Sequence, residues 1–443
     1  MLTKPRFRSG IPDNTRPIIG NPFRARPLFS KYLSFSEKRN PFKGKRASAS
    51  KIVAPDFRQR IFLLLLAGMK KSNSKRTQAV HAGSIGDPQY GGRSTPVYTS
   101  SAYDYEKEVK YPRYFNTPNQ AAVVQKMTAL ENAEDGLVFS SGMAAIMTSF
   151  FAMLQAGDHV VLQQDLYGGT HHAVLNEFHR YGILHTLVDA SDPHNFEKAI
   201  TKRTRVIYIE TPSNPLLKIT DIVAVAKIAR KHKLISMIDN TFASPVNQNP
   251  IDLGIDVVLH SGTKYIGGHS DLMCGFALSS KAYTTQIKSS ALHFGGTLDA
   301  QTCSLVERSL KTIVLRVNQQ NENAMTLAEF LDTEARIQKV YYPGLKGHPD
   351  HRVAKKQMTG GFGGMVSFET KKDPDRFLSK LKYIHRAVSL GGVESTICSS
   401  VRTSHAKLSP SERAKAGISD KLLRFSVGIE DVSDLIGDIQ QAL

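Results

Sequence analysis

Between about residues 121 and 320, short apolar runs alternate with longer stretches of helical pattern, and this alternation restricts the possible folds more than any other feature of the chain. The runs are Leu137 to Ser140, Val160 to Gln163, Val206 to Glu210, Leu234 to Asp239, Val257 to His260 and Gly275 to Leu278. All have strand length, and their continuous apolar character suits strands covered on both faces. Strands separated by helices pair in parallel, because the helix carries the chain back across the sheet. The expected architecture is therefore α/β, with a mostly parallel doubly wound sheet in a large domain over 121–320. After the helical stretch Thr312 to Leu331, the run Gly360 to Phe368 opens a smaller C-terminal α+β domain over 321–443. In open α/β sheets ligands bind beyond the carboxyl ends of the strands, so the residues that follow each run are the candidates for chemistry.

The run Ile255 to Leu259 leads into His260-Ser261-Gly262-Thr263-Lys264-Tyr265. A lysine in such a confined site loses its proton more readily than in water, and the free amine condenses with an aldehyde. Pyridoxal phosphate is the aldehyde to expect. Alone, a lysine at a strand end is more often solvated, but partners for that cofactor lie upstream. Asp239 closes the strand-like run from Leu234, where a carboxylate would keep the pyridine nitrogen protonated. Asp239-Asn240-Thr241 reads equally as a turn or helix cap. In Phe139-Ser140-Ser141-Gly142-Met143-Ala144-Ala145 a strand end meets a helix start, whose N–H groups suit a phosphate. Gly142 allows close approach, and Ser261 and Thr263 add hydroxyls, although the heptapeptide alone is also an ordinary capped start. Tyr167, in Asp165-Leu166-Tyr167-Gly168-Gly169-Thr170, offers an aromatic face for the cofactor ring or is simply a turn residue.

The stretch Ser261-Gly262-Thr263-Lys264-Tyr265-Ile266-Gly267-Gly268-His269-Ser270-Asp271 resembles the lysine signature of the Cys/Met-metabolism group of pyridoxal-phosphate enzymes. That group includes cystathionine γ-synthase, cystathionine γ-lyase, cystathionine β-lyase, methionine γ-lyase and the O-acylhomoserine sulfhydrylases. The resemblance runs from about Arg76 to Leu443 and implies the fold type I transferase architecture. It implies Lys264 as the imine-forming residue and proton shuttle, Asp239 on the ring nitrogen and Tyr167 stacked on the ring, with Tyr167 also protonating the leaving sulfur. Gly142, Met143, Ser261 and Thr263 would hold the phosphate. Asn214, in Glu210-Thr211-Pro212-Ser213-Asn214-Pro215, would sit near the ring hydroxyl and the substrate carboxylate, and Arg424 would fork onto that carboxylate with the Ser389 region beside it.

The stretch Tyr111-Pro112-Arg113-Tyr114-Phe115-Asn116-Thr117-Pro118 resembles the family's arm, which reaches a neighbouring subunit's phosphate through a Tyr and an Arg. Tyr111 and Arg113 match, although the order Asn-Thr-Pro departs from the usual Asn-Pro-Thr. Residues 77–120 would form this arm, in a homotetramer built as a dimer of dimers with shared active sites. The implied function is γ-elimination or γ-replacement on a homoserine- or homocysteine-derived amino acid. Cystathionine β-lyase and O-acylhomoserine sulfhydrylase are the alternatives, and an inactive cofactor-binding protein with a nucleic-acid-binding tail is a distant one. Val388 stands where the cystathionine γ-enzymes carry Glu and His172 where the γ-lyases carry a distal arginine, while Gly169 replaces the cysteine of methionine γ-lyase. An apolar Val388 favours a smaller or less polar leaving group.

The formal net charge of +19 suggests nucleic acid until it is located. Residues 1–76 hold 19 Lys or Arg against Asp13, Glu37 and Asp56, a balance of +16 that leaves about +3 for the rest. The body is thus close to neutral, and nucleic acid is not its expected partner. The basic extension reads as a transit peptide, a binding tail or the product of a mis-assigned start, with Met69 the favoured start and disorder expected. Its apolar run Ile61 to Met69 is too short to span a bilayer, so no membrane is expected. Three cysteines without paired spacing suit a reducing, cytoplasmic setting and argue against disulfides or zinc. His171-His172 is expected to be solvated, and no metal is expected.

Overall fold

The structure, a computed structural model, describes residues 74–403, 406 and 409–443. The basic extension, its expected disorder and the start at Met69 lie outside the described residues, apart from positions 74–76.

Strands β1 (Asp135–Phe139), β2 (His159–Gln163), β3 (Leu184–Val188), β4 (Thr204–Glu210), β5 (Ile235–Asp239), β6 (Val257–Ser261) and β7 (Gly275–Ser279) form one sheet in the order 1-7-6-5-4-2-3. From β3 to β6 all pairings are parallel, whereas β7 runs antiparallel to both β6 and β1. The reversal has a simple cause. No helix lies between β6 and β7, so the chain cannot cross over and must return in the opposite direction. Strand β3 was not among the predicted runs. It is an edge strand with Leu184 exposed and its next three residues only partly buried, so it lacks the apolar continuity of the central strands.

Both faces of the sheet are covered. Val161, Ile207, Ile238 and Val258 pack with Val123, Met127, Val225 and Ala229 on one side. Their neighbours Val160, Val206, Met237 and Val257 pack with Ile146, Phe150, Phe178 and Ile287 on the other. Adjacent strand residues point to opposite faces, so burial on both sides demands the unbroken apolar runs seen in the sequence.

A second sheet contains β8 (Ile337–Tyr341), β9 (Met365–Thr370), β10 (His385–Arg386), β11 (Thr396–Ser399) and β12 (Leu422–Ser426), in the order 10-11-12-9-8. Its pairings are antiparallel except for β10 with β11. The long helix Ile313–Thr333 serves both cores: Ile313, Val314 and Val317 join the first, and Ala324, Leu327 and Leu331 the second. Position 320, the predicted limit of the large domain, falls inside this helix.

Replacing a fully buried side chain should leave a cavity that neighbours fill only in part. Leu162→Ala, at 0 % exposure, is expected to destabilise the fold by about 3 kcal/mol. Leu315→Ala, at 61 % exposure, should fall within about 0.5 kcal/mol of the parent. Urea unfolding followed by circular dichroism checks both.

Candidate functional site

The carboxyl ends of β1, β4, β5 and β6 meet at one edge of the first sheet. Glu210 lies opposite Asp239 in the β4–β5 register, and Asp239 opposite Leu259 in β5–β6. Beyond β6 the chain coils tightly. The Gly267 N–H donates to the Gly262 carbonyl at 2.7 Å, and the Gly268 N–H to the Lys264 carbonyl at 2.7 Å. This turn presents the half-buried Lys264, whose Nζ donates to Ser389 Oγ at 2.7 Å. Ser389 adopts φ 76°, a left-handed conformation that a non-glycine residue holds only when its surroundings enforce it. Arg424 on β12 supplies part of that enforcement, donating to the Ser389 carbonyl at 3.2 Å and to Asn214 Oδ1 at 3.0 Å. Four predicted residues, Lys264, Ser389, Arg424 and Asn214, are thereby joined in one chain of contacts.

Burial, and then the nearby Arg424 guanidinium, push the Lys264 ammonium down to about 8, with the Asp239 carboxylate opposing the shift. Arg424 is buried and has no carboxylate partner among the described residues. A buried guanidinium without its counter-charge is ready for an acidic ligand.

Asp239 Oδ1 accepts from the Thr241 N–H at 3.0 Å and from the Thr241 hydroxyl. The turn reading of Asp239-Asn240-Thr241 is therefore realised, yet it occupies one oxygen only. Oδ2 receives no hydrogen bond among the described residues. Burial pushes the Asp239 carboxyl up, against the pull of the Thr241 bonds, His260 and Lys264. Glu210, a site residue that sequence reasoning missed, accepts the Tyr167 N–H at 2.7 Å. Burial and the Asp239 charge hold its carboxyl well above the usual range. Its signal was its place at the head of the Glu-Thr-Pro-Ser-Asn-Pro stretch. Tyr167 itself is 47 % exposed, leaving its ring open to the cleft. A Cβ at Gly169 would fall 2.5 Å from Tyr167 Cε1 and 3.2 Å from Met143 Sδ, so the ring occupies the space a side chain there would need.

Gly142 and Met143 begin the helix Gly142–Met153, with Ser141 Oγ taking the Ala144 N–H at 3.0 Å. The first N–H groups of a helix have no partner within it, and those of Gly142 and Met143 find no acceptor elsewhere among the described residues. A Cβ on Gly142 would lie 2.8 Å from Ser261 Cβ, and one on Gly275 would lie 2.1 Å from the Ser141 carbonyl oxygen. Two glycines thus let the helix start close on β6 and β7, bringing the free N–H groups beside Ser261. Gly275 was missed because nothing in its local sequence shows what lies across the sheet. Thr263 Oγ1 accepts the Cys274 N–H at 3.2 Å and lies 3.3 Å from the Cys274 carbonyl, which competes for its hydroxyl proton. An anion-binding helix start, an amine and a buried carboxylate with one free oxygen fit the phosphate, aldehyde and ring nitrogen of pyridoxal phosphate.

Tyr111 and Arg113 are not brought to this cluster by their own chain. They flank and enter the short 3₁₀ turn Pro112–Tyr114, where the Arg113 guanidinium lies 5.6 Å from the Tyr111 ring centroid and donates to the Leu292 carbonyl. Neither contacts Lys264, Asp239 or Arg424. Val388 is 65 % exposed, and His172 pairs with Asn176 along its own helix at 3.0 Å. Among the described residues there is no cluster of metal-ligating side chains and no helix long and apolar enough to cross a membrane.

A family model described as Cys/Met metabolism PLP-dependent enzyme matches residues 76–443. The chain is 44% identical over 381 residues to the cystathionine gamma-lyase of Bacillus subtilis (strain 168), covering 83% of this chain and 99% of that protein. It is 42% identical over 378 residues to the cystathionine beta-lyase of Lactococcus lactis subsp. cremoris (strain MG1363), covering 84% and 99%. With the L-methionine gamma-lyase of Fusobacterium nucleatum subsp. nucleatum it shares 39% identity over 393 residues, covering 85% and 99%. The crystal structure of cystathionine gamma-lyase from Lactobacillus plantarum complexed with L-serine superposes with a TM-score of 0.80 at 39% identity, covering 83% of this chain and 98% of that one.

The lowered Lys264 ammonium has a direct consequence. In the cofactor-free protein its reaction with trinitrobenzenesulfonate should rise through a midpoint near about 8, while an ordinary lysine rises near 10.5. Arg424→Gln removes a neighbouring positive charge, so the midpoint should move upward. Peptide mapping of the modified lysine across pH measures both.

Proposed function

The chain belongs to the Cys/Met metabolism family of pyridoxal-phosphate-dependent enzymes, and from that premise we propose that it catalyses γ-elimination or γ-replacement on a homoserine- or homocysteine-derived amino acid, with Lys264 as the residue that carries the cofactor. The observation that carries this reading is the convergence of Lys264 and Arg424 on Ser389, which sets an amine of lowered basicity beside a buried guanidinium that has no carboxylate partner among the described residues. Bound pyridoxal phosphate supplies the electron sink that makes the substrate Cα–H acidic.

Asp239 holds a proton at the ring nitrogen through its free oxygen. The N–H groups of Gly142 and Met143, with the Ser261 and Thr263 hydroxyls, hold the phosphate, and Tyr167 covers the ring. Arg424 binds the substrate carboxylate with two parallel N–H groups, and Asn214 keeps the guanidinium in orientation. So anchored, the substrate presents Cα to Lys264, whose Nζ takes the Cα proton and then moves a proton at Cβ. The Tyr167 hydroxyl holds the proton that the departing sulfur takes up. Val388 lines the far end with apolar surface, which suits a leaving group of low polarity.

The exposed positions of Tyr111 and Arg113, away from their own cluster, support an arm over 77–120 that completes the neighbour's phosphate site in a homotetramer of two dimers. The large domain would cover 121–320 and the small one 321–443. Cys274, Cys303 and Cys398 are buried free thiols, which suits a reducing, cytoplasmic compartment. A second reading, β-elimination from cystathionine, is favoured by the 42% identity with a cystathionine beta-lyase over almost that protein's full length.

Incubation with cystathionine, methionine and O-acetylhomoserine, with and without cysteine, separates the readings by mass analysis. Release of 2-oxobutanoate, or cystathionine made from O-acetylhomoserine and cysteine, is expected. Pyruvate and homocysteine as the sole products from any substrate would transfer the assignment to β-elimination. The shared site has its own test. Lys264→Ala and Arg113→Ala should each be nearly inactive, while subunits exchanged between them should regain activity, because a mixed dimer contains one site with both residues. No gain in verified mixed dimers would place Arg113 outside the neighbour's site.

A further inference from the structure

Arg316 projects from the first turn of the long helix Ile313–Thr333 and is only 5 % exposed. Burying a guanidinium costs free energy unless its N–H groups are filled. Here four of the five are filled, all by neutral acceptors: Nη1 donates to the Tyr265 carbonyl at 2.8 Å, Nη2 to the Ser309 carbonyl at 2.9 Å and the Ile266 carbonyl at 3.5 Å, and Nε to Thr312 Oγ1 at 3.1 Å. No carboxylate pairs with it among the described residues. Two of these acceptors are the backbone carbonyls immediately after Lys264. The loop is shaped to admit the guanidinium, for Gly268 takes φ +67° and a Cβ there would fall 1.9 Å from Arg316 Nη1.

One turn further along the helix, the fully buried Gln320 donates to the Gly392 carbonyl at 2.7 Å, in the segment that carries Ser389. The two loops also touch directly. The Val393 N–H donates to the Gly268 carbonyl at 3.0 Å, and a Cβ on Gly391 would lie 2.7 Å from the Tyr265 nitrogen. Residues at i and i+4 share a helix face, so a single rigid element grips both loops.

We propose that Arg316, seconded by Gln320, is a positioning residue for the reaction: it locks the 264–268 loop against the 389–393 loop so that the Lys264 side chain stays directed into the cleft beside Ser389. The inference rests on the reading of Lys264 as the cofactor lysine. An apolar residue could fill the volume without a buried charge, but it could not hold three carbonyls in fixed directions. The planar fork does, and an ammonium in its place reaches fewer of them.

The test uses the holoenzyme. Borohydride reduction and peptide mapping of the parent protein come first: a pyridoxyl label on Lys264 upholds the underlying reading, and a label elsewhere overturns that reading, independently of Arg316. The variants Arg316→Ala, Arg316→Lys, Gly268→Ala and the double variant Arg316→Ala/Gly268→Ala are then compared by the pH titration of the bound cofactor's visible band, cofactor affinity, kcat, KM and thermal melting. A misplaced lysine should lower kcat by about 100-fold in Arg316→Ala with KM nearly unchanged. The visible band's titration midpoint should shift, and added guanidinium ion should restore part of kcat while Arg316→Lys restores little. Gly268→Ala, which displaces the guanidinium from the other side, should reproduce the band shift, and the double variant should match Arg316→Ala in kcat and band, its melting temperature alone falling further because alanine at φ +67° is strained. The proposal is overturned if Arg316→Ala loses thermal stability alone with the band and kcat intact, or if the two substitutions act additively on kcat. Should Arg316→Ala fail to fold, Gly268→Ala and Gln320→Ala decide the matter, and an unshifted band in both rejects it.

Discussion

The direct return of β6 into β7, with no helix between them, shapes everything near the cleft. A parallel crossover would carry the chain across a face of the sheet, whereas the antiparallel return keeps the 262–274 segment at the strand ends, where Lys264 is needed. The same reversal puts Gly275 at the start of β7, next to the Ser141 carbonyl. The close approach of the Gly142 helix start and the placing of the lysine turn are therefore consequences of one topological choice. Both depend on the absence of side chains at Gly142 and Gly275, since any Cβ there would force the helix away from the sheet.

Charge within the cleft is arranged in opposing pairs. Glu210 and Asp239, neighbours across β4 and β5, are both buried carboxyls, and desolvation raises them together. Lys264 and Arg424 stand across from them, and the second makes the first a weaker base. An isolated charge in such surroundings would be expensive, and the opposite charges of Lys264 and Asp239 moderate each other's cost. The arrangement also leaves groups uncommitted. Among the described residues, Asp239 keeps one oxygen without a protein partner and Arg424 has no carboxylate of its own.

Much of this was readable from the chain, for definite reasons. Central strands declare themselves because both faces are buried, and Lys264, Asp239 and Tyr167 because strand ends in an α/β sheet face the ligand cleft. Strand β3 escaped because an edge strand with exposed Leu184 has no such pattern. The antiparallel sense of β7 follows from the missing helix and was not anticipated strand by strand. Gly275 and Arg316 were invisible for another reason, since each acts on a residue far away in sequence, and Glu210 had only its place at the head of the Glu-Thr-Pro-Ser-Asn-Pro stretch to mark it. A helical arginine such as Arg316 has the same local signature whether it faces water or three backbone carbonyls. Tyr111 and Arg113 were identified by their resemblance to a family arm, and the fold of one chain keeps them apart from its own Lys264.

Gly169 has a chemical consequence beyond the room it leaves for the Tyr167 ring. A cysteine at that position would place a soft nucleophile against the Tyr167 ring, open to alkylation or to peroxide. With hydrogen there instead, and with Cys274, Cys303 and Cys398 all buried, the sulfur beside the Tyr167 ring is the Met143 thioether, which a thiol-directed alkylating reagent spares and peroxide can still oxidise.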